Sequence, residues 1–524
     1  MPSYADLILA SGAWIWLLFV FALGACAGSL INVLVYRLPL GLSVVTPPSR
    51  CPACQTKLTW RENIPVFGWL ILRGRCRFCK SRISPEYPLV EAFVGLLFAG
   101  IFVLWYVLPQ HATWLGVDWA AIRPDWARVD AIFDHWPRQS WPMFIVLITL
   151  VGSLVAMSLV DLKTYTIPLQ IPWFATVTAL LFHVGYAVFF SVTKRELRFI
   201  VPVPFEWSMR TPRSWWWVGA SVGGVAGLIV GMWFLHKGWI RRSFADYAQW
   251  EKNHLGEPVA SVAIETVPAD PVVEGFPWMR RFARFVAVFA VVLIAAGAAG
   301  SVFGPSMGLP HWCGLLAGVA IGPLIAAASI RSMVEPAQTS PAEPPAQSAS
   351  APSDLWIQYP HARREMFKEL LFLAPAIGLA LIGGWLFELW LAPRPAPPAL
   401  WIMVLGGVLQ GYIIAGAIVW AVRIFGSLGF GKEAMGLGDV HLLAAVGACI
   451  GWVDAALAFP LAAVVGLYWV IVSMIRTGGA PRAMPFGPYL AGATMLVLLC
   501  KPLLEIGLNY LMATPPGARP INLP

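Results

Sequence analysis

The chain has 524 residues, of which 58% are apolar and only 12% are charged, and its formal net charge is +9. Soluble domains carry roughly 25% charged residues, so a protein living wholly in water is excluded, and a mean hydropathy of +0.71 puts most of the chain in lipid. The positive balance does not point to nucleic acid, because it is concentrated in one segment, 37–90, beside an apolar run.

Uncharged stretches run from Leu7 to Tyr36, Gln139 to Val160, Thr164 to Thr193, Phe285 to Ile330, Pro395 to Val422 and Ala455 to Ile475. About 20 apolar residues cross a bilayer as a helix. The predicted fold is therefore an all-α polytopic membrane protein. Its spans, about twelve by this length rule, lie near 11–36, 90–108, 142–160, 168–192, 214–236, 284–304, 311–330, 369–392, 399–422, 439–453, 455–475 and 486–505.

The first run is read as a retained helix with its N-terminus outside. Leu23-Gly24-Ala25-Cys26 resembles a lipoprotein cleavage box, but no Lys or Arg precedes Arg37, and a signal peptide needs a positive n-region.

Next comes the basic segment. Arg37, Arg50, Lys57, Arg61, Arg73, Arg75, Arg77, Lys80 and Arg82 face only Glu62 and Glu86. Basic loops beside spans stay cytoplasmic. The segment also holds Cys51-Pro52-Ala53-Cys54 and Cys76-Arg77-Phe78-Cys79. Two such pairs can give four thiolates to a tetrahedral zinc. Disulfides are the alternative, disfavoured in a reducing compartment. A zinc held by Cys51, Cys54, Cys76 and Cys79 would be structural, since four thiolates leave no open position. Cys26, Cys313, Cys449 and Cys500 lie in apolar spans and read as packing residues.

Asp161 closes the third span. A carboxylate there is ordinarily a solvated helix end, although acids within spans are often functional. Polar stretches follow at 194–213 and 243–278, and 335–353 is a Pro/Ala/Ser-rich linker lacking the apolar residues for a core. No internal repeat is read.

Asp439 ends Gly436-Leu437-Gly438-Asp439. Glycines at 436 and 438 let another chain segment approach closely. Alternating the spans from an outside N-terminus places Asp161, Asp439 and the cysteine segment on the same, cytoplasmic side. Two facing carboxylates share one proton. One can then activate water as general base while the other polarises a carbonyl.

Several motifs together resemble bacterial type IV prepilin peptidases, the GxGD intramembrane aspartic proteases. They are Gly28 to Pro39 (GSLINVLVYRLP), residues 47–91, Asp161 to Pro168 (DLKTYTIP), Lys432 to Trp452 (KEAMGLGDVHLLAAVGACIGW) and Met484 to Pro488 (MPFGP). The resemblance covers about 20–192 and 399–500 and implies an aspartic-type endopeptidase with Asp161 and Asp439 catalytic. It would cut leaders from type IV prepilins or pseudopilins, for pili or type II secretion, at the cytoplasmic face of the bacterial inner membrane. It also implies N-methylation of the new terminus with S-adenosylmethionine. Lipid and the prepilin are the expected partners, and nucleic acid is not. A methyltransferase-only or inactive homologue, and a transporter with a zinc-ribbon loop, are the alternatives.

Three departures stand out. Leu169-Gln170 follow Ile167-Pro168 where the family often has Asp. His441 stands where it commonly has Lys. A long insertion, 195–398, separates the aspartates. The expected organisation is a first helix (1–36), a cytoplasmic cysteine domain (37–90), helices with the first aspartate (90–194), the insertion, helices with GxGD (399–505) and a tail (506–524). An even number of inserted helices, four here, keeps both aspartates on one side. Every motif lies outside the insertion, which is therefore expected to be peripheral to the peptidase.

Overall fold

A computed structural model describes residues 13–46, 48–107, 113–114, 117–118, 141–193, 209–244, 362–391, 398–431, 433–477 and 484–512. The expected spans at 284–304 and 311–330, the linker at 335–353 and most of 194–213 and 243–278 lie outside the described residues.

Helices dominate. In chain order they are α1 (Ala13–Arg37), α2 (Phe67–Ile71), α3 (Glu86–Phe102), α4 (Trp141–Thr164), α5 (Gln170–Ala179), α6 (Gly185–Thr193), α7 (Trp215–His236), α8 (Ala362–Leu391), α9 (Leu400–Phe430), α10 (Leu437–Ile450), α11 (Trp452–Thr477), α12 (Gly487–Leu499) and α13 (Lys501–Leu511). Single π turns extend α3 through Val107 and join α5 to α6. The only described strands are Thr113–Trp114 and Val117–Asp118, a two-residue antiparallel pair.

Eight of the described helical segments are long and apolar enough to cross a membrane. The shorter α10 and the α12–α13 pair account for the other two expected spans among the described residues. The last of these differs from a single straight span. Its axis turns by 88° at Cys500 and the helix resumes as α13, beyond the expected end at 505. Pro502 sits in the first turn of α13, where its missing N–H costs nothing. Lys501 reaches Asp454 at 3.7 Å and ties α13 to the start of α11.

Small residues set the helix spacing, as lipid gives apolar faces no drive to associate and close backbone contact must do it. On α7, Gly219, Gly223, Gly227 and Gly231 recur every fourth residue, and a Cβ at each would collide with α8 at Gly383, Leu379, Ala376 or Phe372. Gly411 of α9 and Gly447 of α10 likewise abut backbone to backbone. On α1, Gly24 and Gly28 receive Gly95 and Glu91 of α3. The core lies where α4, α9, α10 and α12 converge, with Leu150, Val151, Met157, Val408, Leu442, Leu443 and Leu490 buried.

The insertion does not stand apart. Its helices α7 and α8 pack on each other and on α9, and Met209 and Pro212, just before α7, lie against Gly451 and Gly406.

Candidate active site and metal centre

Asp161 is in the last turn of α4 and Asp439 in the first turn of α10. Helices running in opposite senses bring these two ends together at one end of the bundle. Both residues are buried, with 5% and 8% of their surface exposed. The carboxylates lie close enough that the charge of Asp161 acts on Asp439.

Each carboxylate is oriented by a backbone N–H. Gly487, at the start of α12, donates to Asp161 Oδ2 at 3.0 Å. The amide of Gly436, the residue capping α10, faces the Asp439 carboxylate. An acid in a helix's first turn reaching back to the N-cap amide is half of a capping box.

The GxGD glycines differ in role. A Cβ at Gly438 would stand 2.9 Å from Ile167 Cβ, whereas one at Gly436 would meet Asp439 Oδ2 at 3.7 Å, an ordinary contact. Close approach is thus required at Gly438. Gly487 is tighter, since a Cβ there would lie 2.6 Å from Asp161 Oδ2 and 3.3 Å from Ile167 Cδ1. Ile167 is wedged between the two glycines. It is delivered by the turn after α4, where Tyr165 takes a left-handed φ of 54° and donates its N–H to the Asp161 carbonyl at 2.9 Å.

His441 Nδ1 lies 3.3 Å from the Tyr412 hydroxyl of α9. The turn from Met484 to Pro488 was legible as a motif, but the use of the Gly487 amide was not, because a backbone donor leaves no side-chain signature. Arg423 and Glu369 carried no signal either; they enter below.

The cysteine domain sits between the C-terminus of α1 and the N-terminus of α3, at the same end as the carboxylates, and Glu86 of α3 exerts its charge on Lys163 of α4. It is built as two copies of one knuckle. Cys51 N–H donates to Thr56 O at 3.0 Å and Gln55 N–H to Cys51 O at 2.9 Å; Cys76 and Lys80 make the same bonds to Ser81 O and Cys76 O at 2.9 and 3.0 Å. Gln55 and Lys80 take matching positive φ values of 55° and 59°. The two copies, Arg50 to Leu58 and Arg75 to Ile83, form an internal repeat that the sequence reading did not see. It is short and shares chiefly its Arg-Cys start and second cysteine.

The four sulfurs lie within 4.8 Å of one another. Cys51 and Cys79 Sγ are 3.8 Å apart and Cys54 and Cys76 Sγ 4.0 Å, beyond the ~2.05 Å of a disulfide. Sulfurs about 2.3 Å from a tetrahedral metal are about 3.8 Å from each other, so the cluster fits a metal ion. Hydrogen bonds from the Ser81 side chain, then its backbone, pull the Cys79 thiol down to about 6, which prepares a thiolate ligand. Burial pushes Cys76 up to about 11 in the metal-free thiol form. Glu91 of α3 fixes the domain to the bundle by accepting from Val66 N–H at 2.6 Å.

Two buried carboxylates thus lie at one end of a bundle of membrane-length helices, the end that also holds the four-cysteine cluster. Residues 22–105 match the family model described as Bacterial Peptidase A24 N-terminal domain. It is 56% identical over 80 residues to a prepilin leader peptidase/N-methyltransferase of Myxococcus xanthus, covering 15% of this chain and 24% of that one. It is 41% identical over 104 residues to the protein of that name from Klebsiella pneumoniae (19% and 44% of the two chains) and 31% identical over 166 residues to that from Aeromonas hydrophila (27% and 55%). The chain thus spans between 24% and 55% of the length of these relatives. No solved structure matches it.

Proposed function

We propose that the chain is a prepilin leader peptidase that cuts the leader of type IV prepilins or pseudopilins with Asp161 and Asp439. The observation that carries this reading is the meeting of the two buried carboxylates, from segments far apart in sequence, each oriented by a backbone amide. Two facing buried carboxylates can share one proton. The ionised one takes a proton from water, the water attacks the scissile carbonyl, and the protonated one hydrogen-bonds the developing oxyanion. Proton transfer to the leaving amine completes the cut without a covalent intermediate. Gly487 and Gly436 hold the carboxylates in place through these steps. The first helix (1–36), the helices at 90–194 and those at 399–505 form the catalytic bundle, with the active end toward the cytoplasm of a bacterial inner-membrane protein.

The metal is proposed to be zinc, bound by Cys51, Cys54, Cys76 and Cys79 in the domain at 37–90. Its chemistry there is structural cross-linking of the two knuckles. From the relatives' name we extend N-methylation of the new terminus to this chain, with S-adenosylmethionine as donor, and assign none of the described residues to that cofactor.

The test is mass spectrometry of a prepilin incubated with the purified protein in detergent. Loss of the leader at one bond supports the reading. An intact prepilin, with a correctly folded and metal-loaded protein, would overturn it.

A further inference from the structure

Among the described residues Arg423 is the largest fully buried side chain, 1% exposed on α9. With 31 residues, α9 is about 46 Å long, which exceeds the ~30 Å hydrocarbon core, so its C-terminal turns project at the end where the carboxylates lie. The expected span at 399–422 stops short of this extension. A buried guanidinium needs its donors satisfied and its charge met, and the partners show what holds it. Its Nε donates to both oxygens of Glu369 at 2.8 and 3.1 Å, and Nη1 donates to Glu433 Oε1 at 2.5 Å and to the carbonyl of Met435. Its plane also lies 5.3 Å from the centre of the Phe244 ring.

Glu369 belongs to the insertion, on α8. It is 3% exposed and also accepts from Trp420 Nε1 at 2.8 Å and Ser243 Oγ at 2.9 Å. Phe372, one turn on, stacks on Trp420 at 5.5 Å. Both oxygens of Glu369 are therefore engaged, and the carboxylate has one place to hold Arg423.

The far end of this chain of bonds reaches the site. The Met435 carbonyl and the Gly436 N–H belong to one peptide unit. Arg423 grips that unit by its oxygen, and its N–H faces the Asp439 carboxylate. Planarity makes the two ends move together. The charge of Arg423 also reaches Asp439.

We propose that Glu369 is a positioning residue for Asp439: an acid from the insertion orients Arg423, which fixes the Met435–Gly436 peptide and so the carboxylate of the GxGD aspartate. The insertion is then part of the catalytic apparatus and not peripheral to it. This rests on the peptidase reading. An ion pair that only glued α8 to α9 would have no reason to end on the peptide that bonds Asp439.

The test uses the full-length protein in detergent, with Glu369→Gln and the double variant Glu369→Met/Arg423→Met. Apolar replacement of a whole buried pair is often neutral or stabilising, so the double variant separates folding from positioning. Thermal melting, kcat and KM on a prepilin, and hydrogen exchange of the amides from Glu433 to Asp439 are measured together. Both variants are expected to lose on the order of 100-fold in kcat, the effect of roughly 1 Å of misplacement, with KM little changed. Exchange at the Gly436 amide should quicken while melting of the double variant holds. A folded double variant with unchanged exchange and unchanged kcat would overturn the proposal. If the wild-type protein cuts no prepilin, the peptidase reading falls, and the exchange measurement still decides the positioning role.

Discussion

Ile167 and Gly438 touch where the two aspartate motifs meet: the space that a Cβ at 438 would occupy, 2.9 Å from Ile167 Cβ, is used by the turn that follows Asp161. One glycine therefore sets how near α4 and α10 come at their active ends. That contact, the two amide–carboxylate bonds and the four-sulfur cluster each give a measurable consequence.

Asp161→Asn and Asp439→Asn are each expected to abolish leader cleavage while the protein remains folded and metal-loaded. An amide can neither act as general base nor share the proton of the pair. The double variant should be no worse than either single one, because groups acting as a unit are not additive. Methylation of an already cleaved pilin, if measured, should survive both. Normal cleavage by either single variant would remove the two-carboxylate mechanism.

The glycines of GxGD should separate in a cleavage assay. Gly438→Ala forces Ile167 or α10 to move and should cost on the order of 100-fold in rate. Gly436→Ala meets only an ordinary contact with Asp439 and should fall by less than about tenfold. Equal losses at the two positions would show that steric approach is not what distinguishes them.

Gly487→Ala places a methyl 2.6 Å from Asp161 Oδ2 and must displace the carboxylate or the start of α12. Cleavage should drop at least as far as for Gly438→Ala, and elemental analysis should find the metal retained, since the cysteine domain is untouched. An active Gly487→Ala protein would mean the amide bond to Asp161 is dispensable.

Purified protein should contain one zinc per chain under reducing conditions, consistent with four sulfurs at tetrahedral spacing. Cys51→Ser or Cys76→Ser should lose it and loosen the domain against Glu91, which limited proteolysis between α1 and α3 would read. Cleavage should fall only partly, as no cysteine takes part in hydrolysis. A zinc-free wild-type protein would refute the assignment.

Replacing 195–398 with a short linker takes Glu369, together with the Ser243 hydroxyl that bonds it, away from Arg423. The expected result is a severe loss of cleavage in a protein that still inserts and binds metal. Near-normal cleavage would restore the view of the insertion as a peripheral addition and contradict the role given to Glu369.

The sequence by itself determined the elements that depend on composition and short spacing. Uncharged runs of membrane length located α1, α4, α5–α6, α9 and α11, because burying a charge in lipid is costly over any stretch of about 20 residues. The paired CxxC motifs located the four-cysteine cluster, because ligand spacing within a knuckle is local. The acid pair was legible through two short motifs. The tertiary structure alone decided what depends on contacts across the chain. The Gly487 amide reaches Asp161 from 326 residues away, and Glu369 reaches Arg423 from 54. Neither leaves a pattern, since a backbone donor has no residue identity and a lone glutamate near a helix start looks like any solvated acid. Whether the insertion served the site was likewise a matter of packing. The α7 glycines let α8 close in, and α8, packed on α9, buries Glu369 against Arg423, without which the Glu369 carboxylate would be a costly unpaired charge.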